Sequence, residues 1–282
     1  MKLVWSRTWS LLALAACAAG GWAFQRGGAA KAAQETVAPS PAAEMIVAGL
    51  GGFRGIAAEV VWFRADRLQD EGRYAELAQL AAWLTFLEPH TPEVWAFTAW
   101  NLAYNVSVMM PTHVDRWRWV DAGVRLLRDD GLRINPGDPM LYKELAWIFL
   151  HKVSGFQDEA GEYYRKQWRD IVEDCRRTDS WDKIGFEKRR MDAIDAEYGK
   201  QDWTNPLASA LYWSVIGLET VKKADHRVEM RQVLYQTLMV ESKSDERFAA
   251  RALKEMRTAY AEHPSQMLLQ IMMKFKENHG LD

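Results

Sequence analysis

"GRYAELAQLAAWLTFLEPHTPEVW" covers residues 72–95, and in it an apolar, helix-like run meets Glu-Pro and restarts at once as a second apolar run. Apolar residues of the first run recur every three or four positions, a spacing that places them on one face of a helix. Gly72 before this run and Pro89 after it are typical of a turn and a helix end. The stretch therefore predicts two consecutive helices that meet near Pro89.

The same arrangement of large and small residues recurs along the chain. Counted from Ala58, Pro92 and Pro139, three units carry bulky, small and bulky residues at their fourth, eighth and eleventh positions. These residues are Val61, Ala65 and Leu68; Trp95, Ala99 and Leu102; and Tyr142, Ala146 and Phe149. A small residue between two large ones lets neighbouring helices approach closely. The pattern therefore predicts stacked pairs of helices.

This spacing resembles the tetratricopeptide repeat, a pair of antiparallel helices of about 34 residues, and Gly72, Tyr74 and Pro89 match its turn and its end. The resemblance implies an all-α fold, a right-handed α-solenoid in which each pair covers the next. We predict units at residues 58–91, 92–138 and 139–172, followed by atypical helices over 173–282. The second unit exceeds the repeat by about 13 residues. We expect this excess near "SVMMPTHVDRW" (residues 107–117), in the turn or the second helix.

The first 24 residues predict export from the cytoplasm. Lys2 and Arg7 precede an uncharged apolar run from Thr8 to Phe24, and a charged start before an apolar segment is typical of a signal sequence. Residues 25–44 are rich in Ala, Gly and Pro, which predicts a flexible spacer. The folded domain is then expected over residues 45–282.

Three fates of the N-terminal segment stay open. Leu14-Ala15-Ala16-Cys17 resembles the lipobox of bacterial lipoproteins, which implies lipidation of Cys17. The second alternative is an uncleaved anchor, although the run is shorter than the roughly 20 residues that span a bilayer. Cleavage near Ala32 is the third alternative. All three place the body in the periplasm or elsewhere outside the cytoplasm, and the first two attach it to a membrane of the cell envelope.

Composition and motifs give no sign of catalysis. The formal charge is −2, with Lys and Arg interspersed among Asp and Glu, so the chain lacks the basic stripe that nucleic acid requires. The two Cys and six His show no metal-ligand spacing. "GGFRG" (residues 51–55) lacks the Gly-Lys-Ser/Thr ending of a phosphate loop. We therefore predict no catalytic residue, no cofactor and no metal.

The 14 Trp are the more informative feature. The repeat resemblance implies that the first helix of each unit lines a concave surface, and one Trp falls in each of its rows. The candidate surface comprises Glu59, Trp62, Asp66 and Gln69; Glu93, Trp100 and Tyr104; and Lys143, Trp147 and His151. Rigid aromatic side chains suit an extended peptide or a glycan. The alternative is that these Trp pack into the core.

These features predict a membrane-tethered, extracytoplasmic module that mediates protein–protein interaction or complex assembly. The chain is similar to bacterial envelope proteins that carry such repeats, a resemblance that implies a fold and a location but no activity. One alternative is a carbohydrate-binding or carbohydrate-active protein with two carboxylates beneath an aromatic groove. Another is a structural subunit of an envelope secretion or transport complex.

Overall fold

The computed structural model describes Gly49 and residues 51–155 and 158–281. Over these residues the chain is all-helical, as predicted, with eleven helices packed together and no strand. The helices are α1 (Arg54–Asp70), α2 (Tyr74–Leu87), α3 (Pro92–Trp100), α4 (His113–Arg125), α5 (Pro139–Trp147), α6 (Gly161–Thr178), α7 (Lys188–Tyr198), α8 (Pro206–Thr220), α9 (Ala224–Glu241), α10 (Arg247–Glu262) and α11 (Gln266–His279). Short 3₁₀ turns precede α1 and α7, at Gly51–Phe53 and Trp181–Ile184.

The predicted signal segment and spacer, together with Cys17, lie outside the described residues. No helix within the described ranges combines the length and apolar character needed to cross a bilayer.

Proline marks the start of three helices. Pro92, Pro139 and Pro206 stand in the first turn of α3, α5 and α8. Proline suits this place because its φ is already helical and its missing N–H would have no partner inside the helix. Asp138 and Asn205 add side-chain caps, each accepting a hydrogen bond of 3.0 Å from a backbone N–H of the first turn. Local sequence therefore fixes where these helices begin.

The first helix pair turns at a glycine. Gly72 lies between α1 and α2 with φ of +68°, a conformation that side chains with a Cβ rarely adopt. The small core of this pair joins the next helix through Val94 of α3. Its other buried members are Ala65, Leu68, Leu77 and Leu84.

Small residues bring α3 and α4 together. Ala99 of α3 is fully buried. A Cβ added to Gly123 of α4 would lie only 2.8 Å from the carbonyl oxygen of Ala99. Helix α3 also packs against α5, and α5 packs against α8. A second, larger core extends from Ala78 on α2 to Phe275 on α11.

The extra length of the second unit lies in its helices. Only residues 109–112 separate the α3 segment from α4. Helices α3, α4 and α5 continue through π-helical turns at Asn101–Val106, Leu126–Gly131 and Ile148–Val153, and α4 then ends with Leu132–Ile134. A π turn accommodates one more residue than an α turn, so these helices lengthen without a long loop.

Residues 170–202 are rich in charged side chains, yet part of the segment packs into the core. Ile184, Phe186, Met191 and Tyr198 are buried. The Phe186 ring stacks on Tyr212 of α8, with ring centroids 4.2 Å apart. The sequence did not indicate that these apolar residues are buried, because they are few and widely spaced among charged residues. The segment therefore packs α7 onto α8, and most of its charged side chains are exposed.

Candidate functional site

Aromatic pairs occupy the predicted first helices of the units. Trp62 of α1 lies against Phe97 of α3, with ring centroids 5.1 Å apart. Trp100 stacks on Tyr104, with centroids 5.6 Å apart, and Trp100 is 38% exposed. These four residues, with Trp147 and His151, are called the aromatic strip below. The strip therefore begins as a ring contact between two helices and continues along α3.

Helix α5 adds the third pair. The rings of Trp147 and His151 lie with centroids 4.0 Å apart. Partial burial lowers the pKa of His151, so its imidazole is neutral at pH 7. A neutral His beside an indole offers a flat surface and a hydrogen-bonding group, without a fixed charge.

Charged side chains stand at the border of the strip. Lys143 lies 3.6 Å from a carboxylate oxygen of Glu144 and 3.1 Å from one of Glu229 on α9. Burial raises the pKa of Glu144, and the attraction of Lys143 opposes this increase only in part. Lys143 therefore connects α5 to α9 and holds two carboxylates in place.

The hydroxyl of Tyr104 is buried without a hydrogen-bond partner among the described residues. Burial raises the pKa of Tyr104, and the nearby Glu144 carboxylate raises it further. The Lys152 ammonium lies 5.5 Å from the centre of the Tyr104 ring, within the range of a cation–π contact. Tyr104 therefore remains protonated at neutral pH.

A buried ion pair lies next to Tyr104 of the aromatic strip. The Lys152 ammonium lies 2.5 Å from a carboxylate oxygen of Asp158, and Arg116 of α4 lies 3.5 Å from the other oxygen. Burial alone would raise the pKa of Asp158, but the hydrogen bonds from Lys152 and the Ala160 N–H, together with the charges of Lys152 and Arg116, lower it overall. The carboxylate stays ionised and fixes Lys152 beneath Tyr104.

The structure brings some predicted residues together and leaves others apart. Tyr104 meets Trp100, and His151 meets Trp147, as neighbours on the same helix. Within the described ranges, none of the three Trp rings of the strip contacts another of the three. The remaining predicted side chains are exposed on α1 and α3: Glu59, Asp66, Gln69 and Glu93.

Sequence reasoning missed Glu144, Lys152 and Asp158. Glu144 and Asp158 resemble ordinary surface carboxylates in the sequence. The sequence gives one indication for Lys152, because this residue interrupts the apolar segment "WIFLHKV" (residues 147–153). A Lys that is buried in such a segment needs a buried partner. Its partner, Asp158, follows six residues later, beyond α5.

The arrangement favours non-covalent recognition. Rings supply flat apolar area, while Lys143 and its carboxylates supply charge at the edge. Among the described residues, no group of three or more His, Cys, Asp or Glu side chains is placed to hold a metal ion.

Comparison with known proteins gives no relative for this chain: no protein-family model, no curated protein and no solved structure matches it.

Proposed function

We propose that this protein is a membrane-tethered, extracytoplasmic helical repeat protein whose aromatic strip binds a protein partner. The observation that carries the proposal is the exposed Trp100 stacked on the half-buried Tyr104. Trp anchors of this kind dominate the energetics of many protein interfaces.

The packing order of the helices supports a tetratricopeptide-like array. Helices α3, α5 and α8 contact one another in turn, α3 with α5 and α5 with α8. Helix α3 also packs against α4 and α8 against α9, while α6 packs against the π-helical turn Ile148–Val153 that continues α5. In a solenoid of helix pairs, first helices line one surface in this way. We therefore read α1/α2, α3/α4, α5/α6, α8/α9 and α10/α11 as five pairs, with α7 as an insertion.

A protein ligand suits the strip better than a glycan. Trp62 and Trp147 are half-buried, and each lies against another ring. This arrangement leaves Trp100 as the most exposed of the three Trp. The exposed Trp100 ring on α3, together with Lys143 and its carboxylates on α5 and α9, fits a peptide with an apolar side chain and a polar backbone. A chain of sugars would need several open ring faces in a row.

The proposed location at a membrane, called the membrane address below, rests on residues 1–24, where an apolar run follows Lys2 and Arg7. Lipidation of Cys17 is part of the proposal. Palmitate labelling of cells should be lost in Cys17→Ala. Unchanged labelling in that variant, or none in wild type, would exclude the lipoprotein form of the proposal and leave an uncleaved anchor or cleavage near Ala32.

Affinity capture from solubilised membranes tests the binding proposal. The full chain and its Trp100→Ala variant are compared by quantitative mass spectrometry of the captured proteins. Loss of a central Trp anchor costs at least about 2 kcal/mol, so we expect the partner's affinity to fall by roughly 30-fold.

Val114→Ala is the matched control, because Val114 is an exposed apolar residue on α4, away from the strip. Its partner set should equal that of wild type. Capture of the same proteins in equal amounts by Trp100→Ala would count against the strip as a binding surface.

A further inference from the structure

Helix α1 presents an apolar surface that no described part of the chain covers. Phe53, Ile56, Val60 and Phe63 are between 61% and 77% exposed. Their spacing of three, four and three residues places them on one side of the helix. This set is called the α1 outer face below. Phe53 ends the 3₁₀ turn before α1, and the other three residues lie on α1. Four large apolar side chains exposed on one side mark an interaction site.

The side of α1 opposite the outer face packs against the domain. Ala58, Ala65 and Leu68 are buried, and Ala65 and Leu68 share a core with residues of α2. The buried side of α1 therefore holds the helix against the domain, and the outer face is not needed for this packing.

Charge on α1 is distributed unevenly. Arg64 and Arg67 are exposed and lie at the C-terminal end of the outer face. Among the described residues Arg64 forms no ion pair, and Arg67 has only a long contact of 3.8 Å with Glu71. On a helical projection, Arg67 lies in the middle of the outer face and Arg64 at the edge beside Val60. Glu59 and Asp70 lie at the other edge, beside Phe63, and Asp66 lies nearer to Trp62. The outer face thus combines apolar side chains with cationic groups in its middle and along one edge, as helices do that lie on anionic membranes.

We propose that the α1 outer face lies on a lipid bilayer, with Phe53, Ile56, Val60 and Phe63 among the acyl chains and Arg64 and Arg67 at anionic headgroups. This inference rests on the membrane address in the proposed function, but it does not depend on partner binding by the aromatic strip. Long Arg side chains can lie along apolar surface and keep their charge at the headgroups.

The order of the chain favours a bilayer as the occupant. Helix α1 is the first described helix of the domain, and the apolar run ending at Phe24 precedes it. Gly49 follows Phe24 by 25 positions, and this length of chain spans at most about 90 Å when extended. A membrane held at this range has a high effective concentration at α1, so a modest apolar surface is sufficient for contact.

A second copy of the chain fits this surface less well. The 17 residues of α1 span about 25 Å in length and about 10 Å in width. An area of a few hundred Å² is well below the roughly 800 Å² per partner of a stable interface. Two such faces would also bring the Arg pairs together.

Site-specific photocrosslinking of the full chain distinguishes these occupants. Benzoylphenylalanine replaces Phe63 in protein reconstituted into vesicles of phosphatidylcholine mixed with phosphatidylglycerol. The control probe replaces Met273 of α11, another exposed apolar residue (63%). The N-terminal segment is the same in both proteins. Because both positions are exposed, neither substitution should disturb folding, which circular dichroism checks.

We expect lipid adducts at position 63 to exceed those at position 273 several-fold. In the same vesicles, Arg64→Gln and Arg67→Gln should each lower the adduct yield at position 63 by up to about fivefold, from roughly 1 kcal/mol per Arg at an anionic surface. Equal yields at the two positions, a crosslinked dimer at position 63, or no adduct there would each overturn the proposal. Cell fractionation tests the membrane address separately, so its failure would be recognised as such.

Discussion

The indole N–H of Trp95 donates a hydrogen bond of 2.8 Å to the carbonyl oxygen of Pro89. The side-chain amide of Asn135 donates to the same oxygen, at 2.9 Å. Pro89 follows α2, Trp95 belongs to α3, and Asn135 follows the end of the α4 segment. One carbonyl group therefore ties the end of the first helix pair to both helices of the second.

Replacing Trp95 should weaken this junction. Trp95→Phe keeps an aromatic ring but removes the donor, and a net loss of about 1 kcal/mol in unfolding free energy is expected for one such hydrogen bond. Urea unfolding followed by circular dichroism measures it. Trp181→Phe is the control, since the Trp181 indole donates no hydrogen bond among the described residues. Equal midpoints for the two variants would contradict the role of Pro89.

Glycine-to-alanine changes should have opposite effects at two helical positions. In Gly123→Ala the new methyl group would meet the Ala99 carbonyl oxygen at 2.8 Å, so α3 and α4 must separate. We expect a destabilisation of about 1–3 kcal/mol. A Cβ on Gly55 of α1 meets nothing within 4 Å, and Gly55→Ala should stabilise by about 0.5–1 kcal/mol. Thermal unfolding of both variants checks the prediction, and two changes of the same sign would contradict it.

Glu241 should make the protein less stable at alkaline pH. Its side chain is buried, and one carboxylate oxygen has no partner among the described residues. Burial, with a smaller effect of Asp245, raises its pKa to about 8, compared with about 4.3 in an unfolded chain. The folded state therefore holds the proton more tightly. This contribution to stability is complete below about pH 4.3 and is lost as the pH rises through 8.

Glu241→Gln keeps the shape and removes the titration. Urea unfolding should show the variant to be more stable than wild type at pH 9, by about 1–3 kcal/mol for a buried charge without partners, with a smaller difference at pH 5. The exposed Glu277 supplies the control, and Glu277→Gln should follow the wild-type pH profile. A wild-type profile that rises from pH 6 to pH 9 as much as that of Glu241→Gln would refute the assignment.

Breaking the buried pair beneath Tyr104 should be costly. Lys152→Met retains the apolar stem but leaves Asp158 without its nearest cation, a change expected to cost about 3 kcal/mol. Adding Asp158→Asn should recover part of the loss, because the uncompensated charge is then gone. Denaturant unfolding measures both variants. Arg177→Met, which removes the exposed ion pair with Asp174, should change stability by less than about 1 kcal/mol, and a similar cost at both sites would contradict the account.

The helix starts could be predicted because their signals are local. Proline followed by a periodic apolar run identified α3 and α5, and Gly72 marked the first turn. Helices were also predicted over residues 173–282, and the structure has α7 to α11 there. The π turns were not predictable, since an extra residue in a helical turn leaves no mark in composition. They account for part of the extra length near residue 110.

The candidate site was predicted only in outline. Periodicity and the repeat resemblance placed one Trp on each first helix, but they could not say which ring each Trp meets. Phe97 reaches Trp62 only because α1 and α3 are packed together. The positions of the Lys152, Asp158 and Glu144 side chains also depend on contacts between helices. The exposure of Ile56, Val60 and Phe63 depends on these contacts as well. Such features follow from the packed structure rather than from any short motif.

The central claim is that the aromatic strip contacts a protein partner, and photocrosslinking in living cells tests it most directly. Benzoylphenylalanine replaces Trp100 or Trp147 in the full chain, and Val114 on α4 serves as the comparison. The account predicts the same crosslinked partner at positions 100 and 147 and its absence at position 114. A partner that crosslinks equally at position 114, or no crosslink at either strip position, would contradict it.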